Sequence, residues 1–252
     1  MVTRKNKIYD AVFYECQAEK SSDSASSVVP VLINLIQPES VIDIGCGVGT
    51  WLQFFREFGV GEILGIDGDY INRKRLRIPE ECFLSMDLSN PVVSIGRSYD
   101  LALCLEVAEH IPERSAHRLV DFITSLAPVA FFSAAVPGQG GTGHVNEQWP
   151  DYWGKHFADH GYKMLDVIRP KIWNMEHVEP WYCQNSFLYV REDNLSCFPD
   201  LVTINTDLVG LPKRIIHPEL FRRFASLEYV QSKQLICELI ARVKRRLRRV
   251  AS

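Results

Sequence analysis

The 252-residue chain has no C-x-x-C pair and no apolar run near the roughly 20 residues that a membrane-spanning helix needs. No apolar segment follows its basic first residues, so we expect no secretory signal peptide. Its seven cysteines are scattered, at positions 16, 46, 82, 104, 183, 197 and 237. This distribution predicts reduced thiols in a cytosolic protein and no structural zinc site.

An excess of charge of one sign is also missing, since the formal net charge is −3 and 46% of the residues are hydrophobic. Overall charge therefore indicates neither a nucleic acid nor a membrane as partner, and only local clusters could do so. The length suits one large domain or one domain with appendages. We expect a cytoplasmic protein.

The most informative stretch runs from Val41 to Thr50, with the sequence Val-Ile-Asp-Ile-Gly-Cys-Gly-Val-Gly-Thr. It predicts a buried strand, a glycine-rich turn and the start of a helix. Because Gly45, Gly47 and Gly49 have no side chain, main-chain N–H groups can approach a ligand there. The positive end of the helix suits a carboxylate or phosphate. The alternative is a tight strand-to-helix turn in which the glycines serve packing.

Strands and helices alternate along the rest of the chain. The predicted strands are residues 41–44, 62–66, 82–86, 99–105, 129–136, 162–169 and 186–191, and residues 113–126 predict a helix after the fourth. Residues 8–37 predict two helices separated by the serine-rich residues 21–27. The fold class is therefore α/β, a doubly wound and mostly parallel seven-stranded sheet with helices on both faces and an antiparallel last strand. Its ligand crevice should lie at the carboxyl ends of the strands.

Acidic residues stand where three of these strands end, at Asp67, Asp87 and Glu106. Asp67 follows Gly47 by about 20 residues, an offset at which a carboxylate can accept hydrogen bonds from ribose hydroxyls. Dinucleotide-binding enzymes and methyltransferases share that geometry. Here Asp43 lies inside the first strand and the glycines are spaced G-x-G-x-G rather than G-x-G-x-x-G. An acid at that place favours a cationic ligand and would repel a pyrophosphate.

These motifs resemble the class I S-adenosylmethionine-dependent methyltransferases, over roughly residues 28–192. The segments that carry the resemblance are Val41 to Gly49, Gly65-Ile66-Asp67, Met86-Asp87 and Leu105-Glu106-Val107-Ala108-Glu109-His110-Ile111. The last segment is similar to the one found in the subgroup of ubiquinone-type and bacterial sugar O-methyltransferases.

The resemblance implies S-adenosylmethionine as cofactor. It implies that the glycine loop and Asp43 surround the methionine part, that Asp67 holds the ribose, and that Asp87 meets the adenine with Met86 on the ring. Glu106 would line the floor near the methionine. The implied cofactor-binding residues are Asp43, Gly45, Cys46, Gly47, Gly49, Asp67, Met86, Asp87, Leu88 and Glu106. From the residues alone, Asp87 could instead cap a helix, and Glu106 could be a solvated strand end.

The glycine-rich residues 137–150 predict a loop at the ligand edge that binds the methyl acceptor. A hydroxyl acceptor must lose a proton, for which histidine is suited. His144 is the first candidate base and His110 the second. The alternative for either histidine is that it orders its loop and takes no part in catalysis. Glu147 is a candidate acceptor contact. An H-x-x-E pair can hold a metal, but alone it is weak support, and we predict no metal site.

Two further segments carry predictions, and the chain divides into three predicted domains. Aromatic residues within 170–182 could stack on a sugar ring or pack in the core. Residues 218–250 predict an amphipathic helix with a basic tip, which can lie on an anionic membrane surface, pair with a partner helix or remain solvated. The predicted domains are an N-terminal helical lid over 1–37, a Rossmann-like methyltransferase domain over 38–192 and a C-terminal extension over 193–252.

The leading prediction is O-methylation of a sugar or other small-molecule or glycan hydroxyl, in polysaccharide or secondary-metabolite biosynthesis, with no nucleic acid as partner. One alternative is a methyltransferase of RNA or protein that uses the basic tail as an anchor. The other is a binding module that keeps the fold without catalysis. Against RNA or protein amino groups, no Asn-Pro-Pro-Tyr type motif follows the fourth strand.

Overall fold

A computed structural model describes residues 11–91, 95–207 and 214–225. Its seven strands are β1 (Ser40–Ile44), β2 (Glu62–Asp67), β3 (Phe83–Ser85), β4 (Leu101–Leu105), β5 (Val129–Ser133), β6 (Tyr162–Leu165) and β7 (Phe187–Arg191). Its α-helices are α1 (Ala11–Ile36), α2 (Thr50–Glu57), α3 (Ala116–Leu126), α4 (Pro150–Ala158), α5 (Arg169–Ile172), α6 (Pro180–Asn185), α7 (Pro199–Asp207) and α8 (Pro218–Ala225).

The strands form one sheet in the order β3-β2-β1-β4-β5-β7-β6. Strands β1 to β5 pair in parallel, whereas β7 is antiparallel to both β5 and β6. The predicted fold class, including the antiparallel last strand, is confirmed. Because the order changes direction at β1 and β4, the carboxyl ends of these two strands flank the crevice where such sheets bind ligands.

The core lies on both faces of the sheet because successive strand residues point to opposite sides. On one face Val41 and Leu103 pack with the buried faces of α1 and α2, including Leu32 and Phe55. On the other face Ile42 and its neighbours pack against α3 and α4. All five residues of β1, β4 and β5 are buried, as expected of parallel strands covered on both faces.

The prediction of two helices over residues 8–37 is wrong within the described residues, because α1 runs unbroken through the serine-rich segment. Ser26 and Ser27 donate their hydroxyls to the carbonyl of Asp23, so these side chains are satisfied inside the helix. Ser24 is fully buried and accepts a hydrogen bond from the amide of Glu179. Tertiary packing thus overrides the weak helix propensity of serine.

Strand β6 is shorter than predicted, since it ends at Leu165 and Arg169 begins α5. Arg169 is buried and forms a two-pronged ion pair with Asp166. Its guanidinium also lies 4.2 Å from the centre of the Phe187 ring. From the sequence, Arg169 was expected to be the last residue of the strand. In the structure its ion pair with Asp166 closes the turn after the strand.

The chain divides into two compact units, residues 1–215 and 216–252. Of the predicted C-terminal helix, Pro218–Ala225 is helical, and its basic tip lies outside the described residues. Across the described segments, no helix is both long enough and apolar enough to cross a bilayer.

Candidate functional site

The glycine loop between β1 and α2 has the backbone that its sequence predicts. Gly45, Gly47 and Gly49 all have positive φ, at 88°, 56° and 83°. A Cβ on Gly45 would lie 2.2 Å from Cγ2 of Val107, so this glycine permits close packing. A Cβ on Gly47 would meet no atom within 4 Å, so this glycine faces open space. The loop therefore combines a packing role with a surface that a ligand can approach, and both interpretations of its glycines apply.

Asp43 lies beneath this loop on β1 and is only 2% exposed. Its Oδ2 makes no hydrogen bond among the described residues. Burial, and then the nearby charge of Asp67, raise the pKa of Asp43 well above its usual range. A buried carboxylate without a partner is costly, and a cationic ligand would compensate it. The N-terminus of α2, which no side chain caps, adds free N–H groups at the same place.

Asp67 ends β2 and binds the glycine loop directly. Its Oδ2 accepts a hydrogen bond of 2.7 Å from the amide of Gly47. Its Oδ1 accepts hydrogen bonds of 2.6 Å from the amide of Gly68 and from the hydroxyl of Tyr70. Burial raises the pKa of Asp67, and these three hydrogen bonds oppose the rise. The structure thus places Asp67, the residue predicted to bind the ribose, beside the loop. The hydroxyl of Tyr70 already donates a hydrogen bond to its carboxylate.

Asp87 lies after β3, and its Oδ1 accepts hydrogen bonds from the amide and the hydroxyl of Ser89. Residues 87–90 form a turn rather than a helix, so the alternative of a helix cap is not what the structure shows. Met86 is partly buried and Leu88 is buried, both against the α3 face of the core. The cofactor role of these three residues stays a prediction.

Glu106, at the end of β4, is held by buried amides. Its Oε1 accepts a hydrogen bond from Asn185 and its Oε2 one from Gln139. Its φ is +55°, an unusual backbone for a glutamate. The alternative of a solvated strand end is therefore wrong. Asn185 and Gln139 are not among the site residues predicted from the sequence, although polar residues at 184–186 interrupt an apolar run and were the available signal.

The loop over residues 137–149 contains no helix or strand, as predicted, but it is tightly bonded. The carboxylate of Glu147 accepts hydrogen bonds from the amides of Gly138 and Gly140, at 2.8 and 2.7 Å. Its Oε1 also lies 2.9 Å from Nδ1 of His144. These contacts occupy the carboxylate of Glu147 and hold it on the Nδ1 side of the His144 ring. Its predicted contact with the acceptor stays untested.

Glu109 is a further residue of the site that was not predicted from the sequence as a site residue. It is fully buried, and neither of its carboxylate oxygens makes a hydrogen bond within the described residues. Its carbonyl accepts hydrogen bonds from the amides of Val145 and Asn146, which fixes the loop against it. Burial, and then the charge of Glu106, raise the pKa of Glu109 well above its usual range. The Glu-His pair in the segment after β4 was the available signal.

Both candidate histidines lie beside Glu109. Nε2 of His144 is 4.0 Å from Oε1 of Glu109, and the His110 and His144 rings meet edge to face with centroids 4.9 Å apart. Nδ1 of His110 is buried and has no partner in the described part of the chain. Burial, and then His144, lower the pKa of His110 to about 4. His110 is therefore neutral at neutral pH.

The aromatic segment after α5 is divided between the two predicted roles. Tyr182 is buried, and its ring lies edge to face on Trp51 at 5.2 Å, which is core packing. Trp173 and Trp181 are only partly buried, so the stacking role remains open to them. Cys46, Cys82, Cys104, Cys183 and Cys197, the cysteines whose side chains the structure describes, are free thiols as predicted.

Solved structures with this fold include several methyltransferases. A sugar N-methyltransferase from a Streptoalloteichus species matches with a TM-score of 0.55 and 16% identity, over 76% of this chain and 98% of that one. Magnesium protoporphyrin IX methyltransferase from Synechocystis, with bound S-adenosylhomocysteine, matches with a TM-score of 0.51 and 20% identity, over 73% of this chain and 89% of that one. The fold and the glycine-loop site define the class I S-adenosylmethionine-dependent methyltransferases, which confirms the predicted class and cofactor.

A family model described as a methyltransferase domain matches residues 19–167, more than half of the chain. The chain belongs to that family. A curated relative, the ribosomal RNA large subunit methyltransferase E of Methanoregula boonei, is 27% identical over 124 residues. That match covers 49% of this chain and 62% of the relative, so the chain spans less than two thirds of the relative's length.

Proposed function

We propose that this protein transfers a methyl group from S-adenosylmethionine to a hydroxyl of a sugar or other small molecule or glycan. The observation that carries the proposal is the contact between two parts of the site. Val107 packs against Gly45 of the cofactor loop, and Glu109 and His110, a few residues further on, lie against His144. A cofactor cradle and a group of proton-accepting side chains are therefore neighbours at one edge of the sheet.

The chain's residues fit the chemistry of the cofactor. When bound, S-adenosylmethionine supplies a methyl group on a sulfonium whose sulfur leaves with the bonding electron pair, so the acceptor need only present an oxygen lone pair and lose a proton. Asp43 offers to the cationic methionine end a carboxylate whose Oδ2 has no hydrogen-bond partner among the described residues. The carboxylate of Asp67 is placed to accept hydrogen bonds from hydroxyl groups, as it does from Tyr70. Holding the reactants in line supplies much of the acceleration.

Removal of the hydroxyl proton is assigned to the group of Glu109, His110 and His144. His144 is the proposed base, because Glu147 holds its Nδ1 and leaves Nε2 to face the site. His110 is a weaker base, because burial keeps its pKa near 4. Activity of the His144→Ala variant tests this role with cofactor binding measured alongside. Unchanged turnover would exclude His144.

A second candidate function is methylation of RNA, favoured by the match to a ribosomal RNA methyltransferase. Its substrate would also carry ribose hydroxyls, so the same chemistry would apply. RNA binding that weakens steeply with salt would support this candidate. RNA binding that does not depend on salt, or no RNA binding, would exclude this candidate and leave a small molecule as the methyl acceptor.

One experiment tests the main proposal. Calorimetric titration of the protein with S-adenosylmethionine comes first, followed by a methyl-transfer screen over sugar nucleotides, lipid-linked glycans and RNA. Saturable cofactor binding with methylation of a sugar hydroxyl supports the proposal. Cofactor binding without transfer to any acceptor favours a silent binding module, and absence of cofactor binding overturns the assignment.

A lipid-linked acceptor would give the basic C-terminal segment a role, and we propose that this segment contacts an anionic membrane surface from the cytoplasmic side. The support is its sequence, with six Lys and Arg among residues 242–249. Truncation after Gln231 should weaken binding to vesicles that contain anionic lipids. Unaltered binding would exclude the proposal.

A further inference from the structure

We propose that Glu109, His110 and His144 form a binding site for one divalent transition-metal ion. Each residue offers one ligand atom, and these atoms all lie within 4.8 Å of one another. No metal site is predicted from the sequence, in which only the pair of His144 and Glu147 was a candidate. The fold supplies the missing pair, since the segment after β4 brings Glu109 and His110 against the loop that carries His144.

Glu109 points to a cation more strongly than any other residue of the group. Its side chain is completely buried, yet both carboxylate oxygens lack hydrogen-bond partners in the described residues. Buried polar groups in folded proteins are nearly always satisfied, so an orphaned carboxylate needs an explanation. A bound proton, shared with the neighbouring carboxylate of Glu106, would offset only part of the negative charge there. A divalent cation satisfies the carboxylate and draws on the two imidazoles beside it.

The two histidines are held as metal ligands usually are, through contacts with neighbouring oxygen atoms. Glu147 binds Nδ1 of His144, and two loop amides fix Glu147 in turn. Nε2 of His144 is therefore left facing Glu109. The backbone of Gly143 hydrogen bonds with His110, whose Nδ1 is unpartnered among the described residues.

Space for the ring of His144 depends on Gly141. A Cβ at this position would lie 2.2 Å from Nε2 of His144. The glycine thus allows the imidazole to lie over the loop backbone with its nitrogen turned toward Glu109.

Two imidazoles and one carboxylate suit Mn²⁺, Fe²⁺, Co²⁺ or Zn²⁺ better than Mg²⁺ or Ca²⁺, which prefer oxygen ligands alone. Three protein ligands also leave positions on the ion open. The role of the ion rests on the proposed function: the acceptor hydroxyl would take an open position and lose its proton to bulk water, because a bound cation lowers its pKa. His144 would then be a ligand rather than the base.

Direct binding tests the site without any substrate. The full chain is freed of metal with a chelator, exchanged into buffer and titrated with Mn²⁺, with free ion followed by its paramagnetic resonance signal and heat by calorimetry. We expect one ion per chain, with Zn²⁺ competing and Mg²⁺ binding at least about tenfold more weakly. No saturable binding of Mn²⁺ or Zn²⁺, or equal binding of Mg²⁺, would overturn the proposal.

Variants locate the ion. His144→Ala and Glu109→Gln should each weaken Mn²⁺ binding by more than about tenfold, and Glu147→Gln should weaken it by about 10-fold to 100-fold through the orientation of His144. His117→Ala, which removes an exposed imidazole from α3, is the matched control and should bind as wild type does. Circular dichroism establishes that each variant is folded. If Glu109→Gln does not fold, His144→Ala decides, and unchanged binding there overturns the site.

Titration of the same samples with S-adenosylmethionine separates the two proposals. Cofactor binding without metal binding overturns this inference and leaves the proposed function intact. Metal binding without cofactor binding leaves the metal site intact but overturns the proposed function, and with it the role given to the ion.

Discussion

The hydroxyl of Tyr70 donates a hydrogen bond of 2.6 Å to Oδ1 of Asp67, the carboxylate to which the ribose of the cofactor is assigned. Tyr70 itself is 57% exposed, so little packing holds its ring in place. The tyrosine hydroxyl and a ribose hydroxyl would compete for the same acceptor. If the ribose binds Asp67 as proposed, we expect an exchange of donors on Oδ1 of this carboxylate.

Removal of that competitor should tighten cofactor binding. Tyr70→Phe takes away only the hydroxyl, and we expect the affinity for S-adenosylmethionine to rise by about threefold to tenfold, from the usual size of a hydrogen bond. Calorimetric titration measures it. Tyr152→Phe, a tyrosine on α4 away from Asp67, is the control. A loss of affinity in Tyr70→Phe would show that the tyrosine instead supports the cofactor.

Asp43 should show opposite effects on stability and on binding. Asp43→Asn replaces a buried charge without a partner on Oδ2, so the free energy of unfolding without cofactor should rise by about 1–3 kcal/mol. The affinity for S-adenosylmethionine should fall by about tenfold or more, because the counter-charge is lost. Urea unfolding and calorimetry measure the two effects. A variant that loses stability but keeps its affinity would contradict the role of Asp43.

Two glycines of the same loop should respond differently to the same change. Gly45→Ala introduces a Cβ 2.2 Å from Val107, at a φ of +88°, and should cost about 2–4 kcal/mol of stability. Gly47→Ala meets no atom within 4 Å and should cost about 1 kcal/mol for its positive φ. It should nevertheless reduce cofactor affinity, because Gly47 faces the open side. Thermal unfolding and calorimetry on both variants make the comparison, and equal effects on stability would contradict it.

Removal of metal should abolish most of the methyl transfer without affecting the cofactor. We expect a chelator to lower turnover by at least about tenfold and the addition of Mn²⁺ to restore it. The affinity for S-adenosylmethionine should not change, because Asp43 and Asp67 lie on β1 and β2, whereas the metal ligands lie in the turn after β4 and in the loop over residues 137–149. Turnover that persists in metal-free enzyme would return His144 to the role of general base.

The pH dependence of stability should reveal Glu109 in metal-free protein. Its folded-state pKa is raised above the ordinary value of 4.5, chiefly by burial. The folded state therefore keeps a proton that the unfolded state releases, and stability declines as pH rises above about 4.5. Glu109→Gln should reduce this decline and leave the part due to Asp43, Asp67 and Glu106, whose pKa values are also raised; urea unfolding over a series of pH values can measure it. An unchanged slope would show that Glu109 titrates normally.

The pKa of His110 shifts on folding in the opposite direction to that of Glu109, so His110 provides a control. Its pKa falls from 6.5 to about 4 on folding, so only the unfolded state binds a proton between these values. Its contribution to stability is thus present above pH 6.5 and is lost as pH falls toward about 4. His110→Asn should flatten this part of the profile and leave the decline due to Glu109.

The strands and the glycine loop could be predicted because their signals are local. Runs rich in β-branched residues, such as Val41–Ile44, indicate the strands. Closely spaced glycines, which here adopt positive φ, indicate the loop, and neither signal depends on distant parts of the chain. The place of Asp67 beside the glycine loop could be predicted from its spacing after Gly47. The continuous helix α1 could not be predicted, because Ser24 is stabilised inside it by a contact with Glu179, 155 residues away in sequence.

The group of Glu109, His110 and His144 could not be predicted for the same reason. His144 joins the other two only because the amides of Val145 and Asn146 bind the carbonyl of Glu109. The sequence pattern identified both histidines as candidates but did not indicate that their rings meet. The orphaned carboxylate of Glu109 is a property of the folded environment alone.

The attachment of α1 limits how the protein can be shortened. Val28, Val29 and Leu32 are completely buried in the core, and Ser24 bonds to the residue just ahead of α6. A fragment that starts at β1 would expose this apolar surface to water and leave the amide of Glu179 without its acceptor. The smallest autonomous folding unit therefore includes α1, and crystallisation or domain-grafting work should retain the chain from at least residue 19, where the family match also begins.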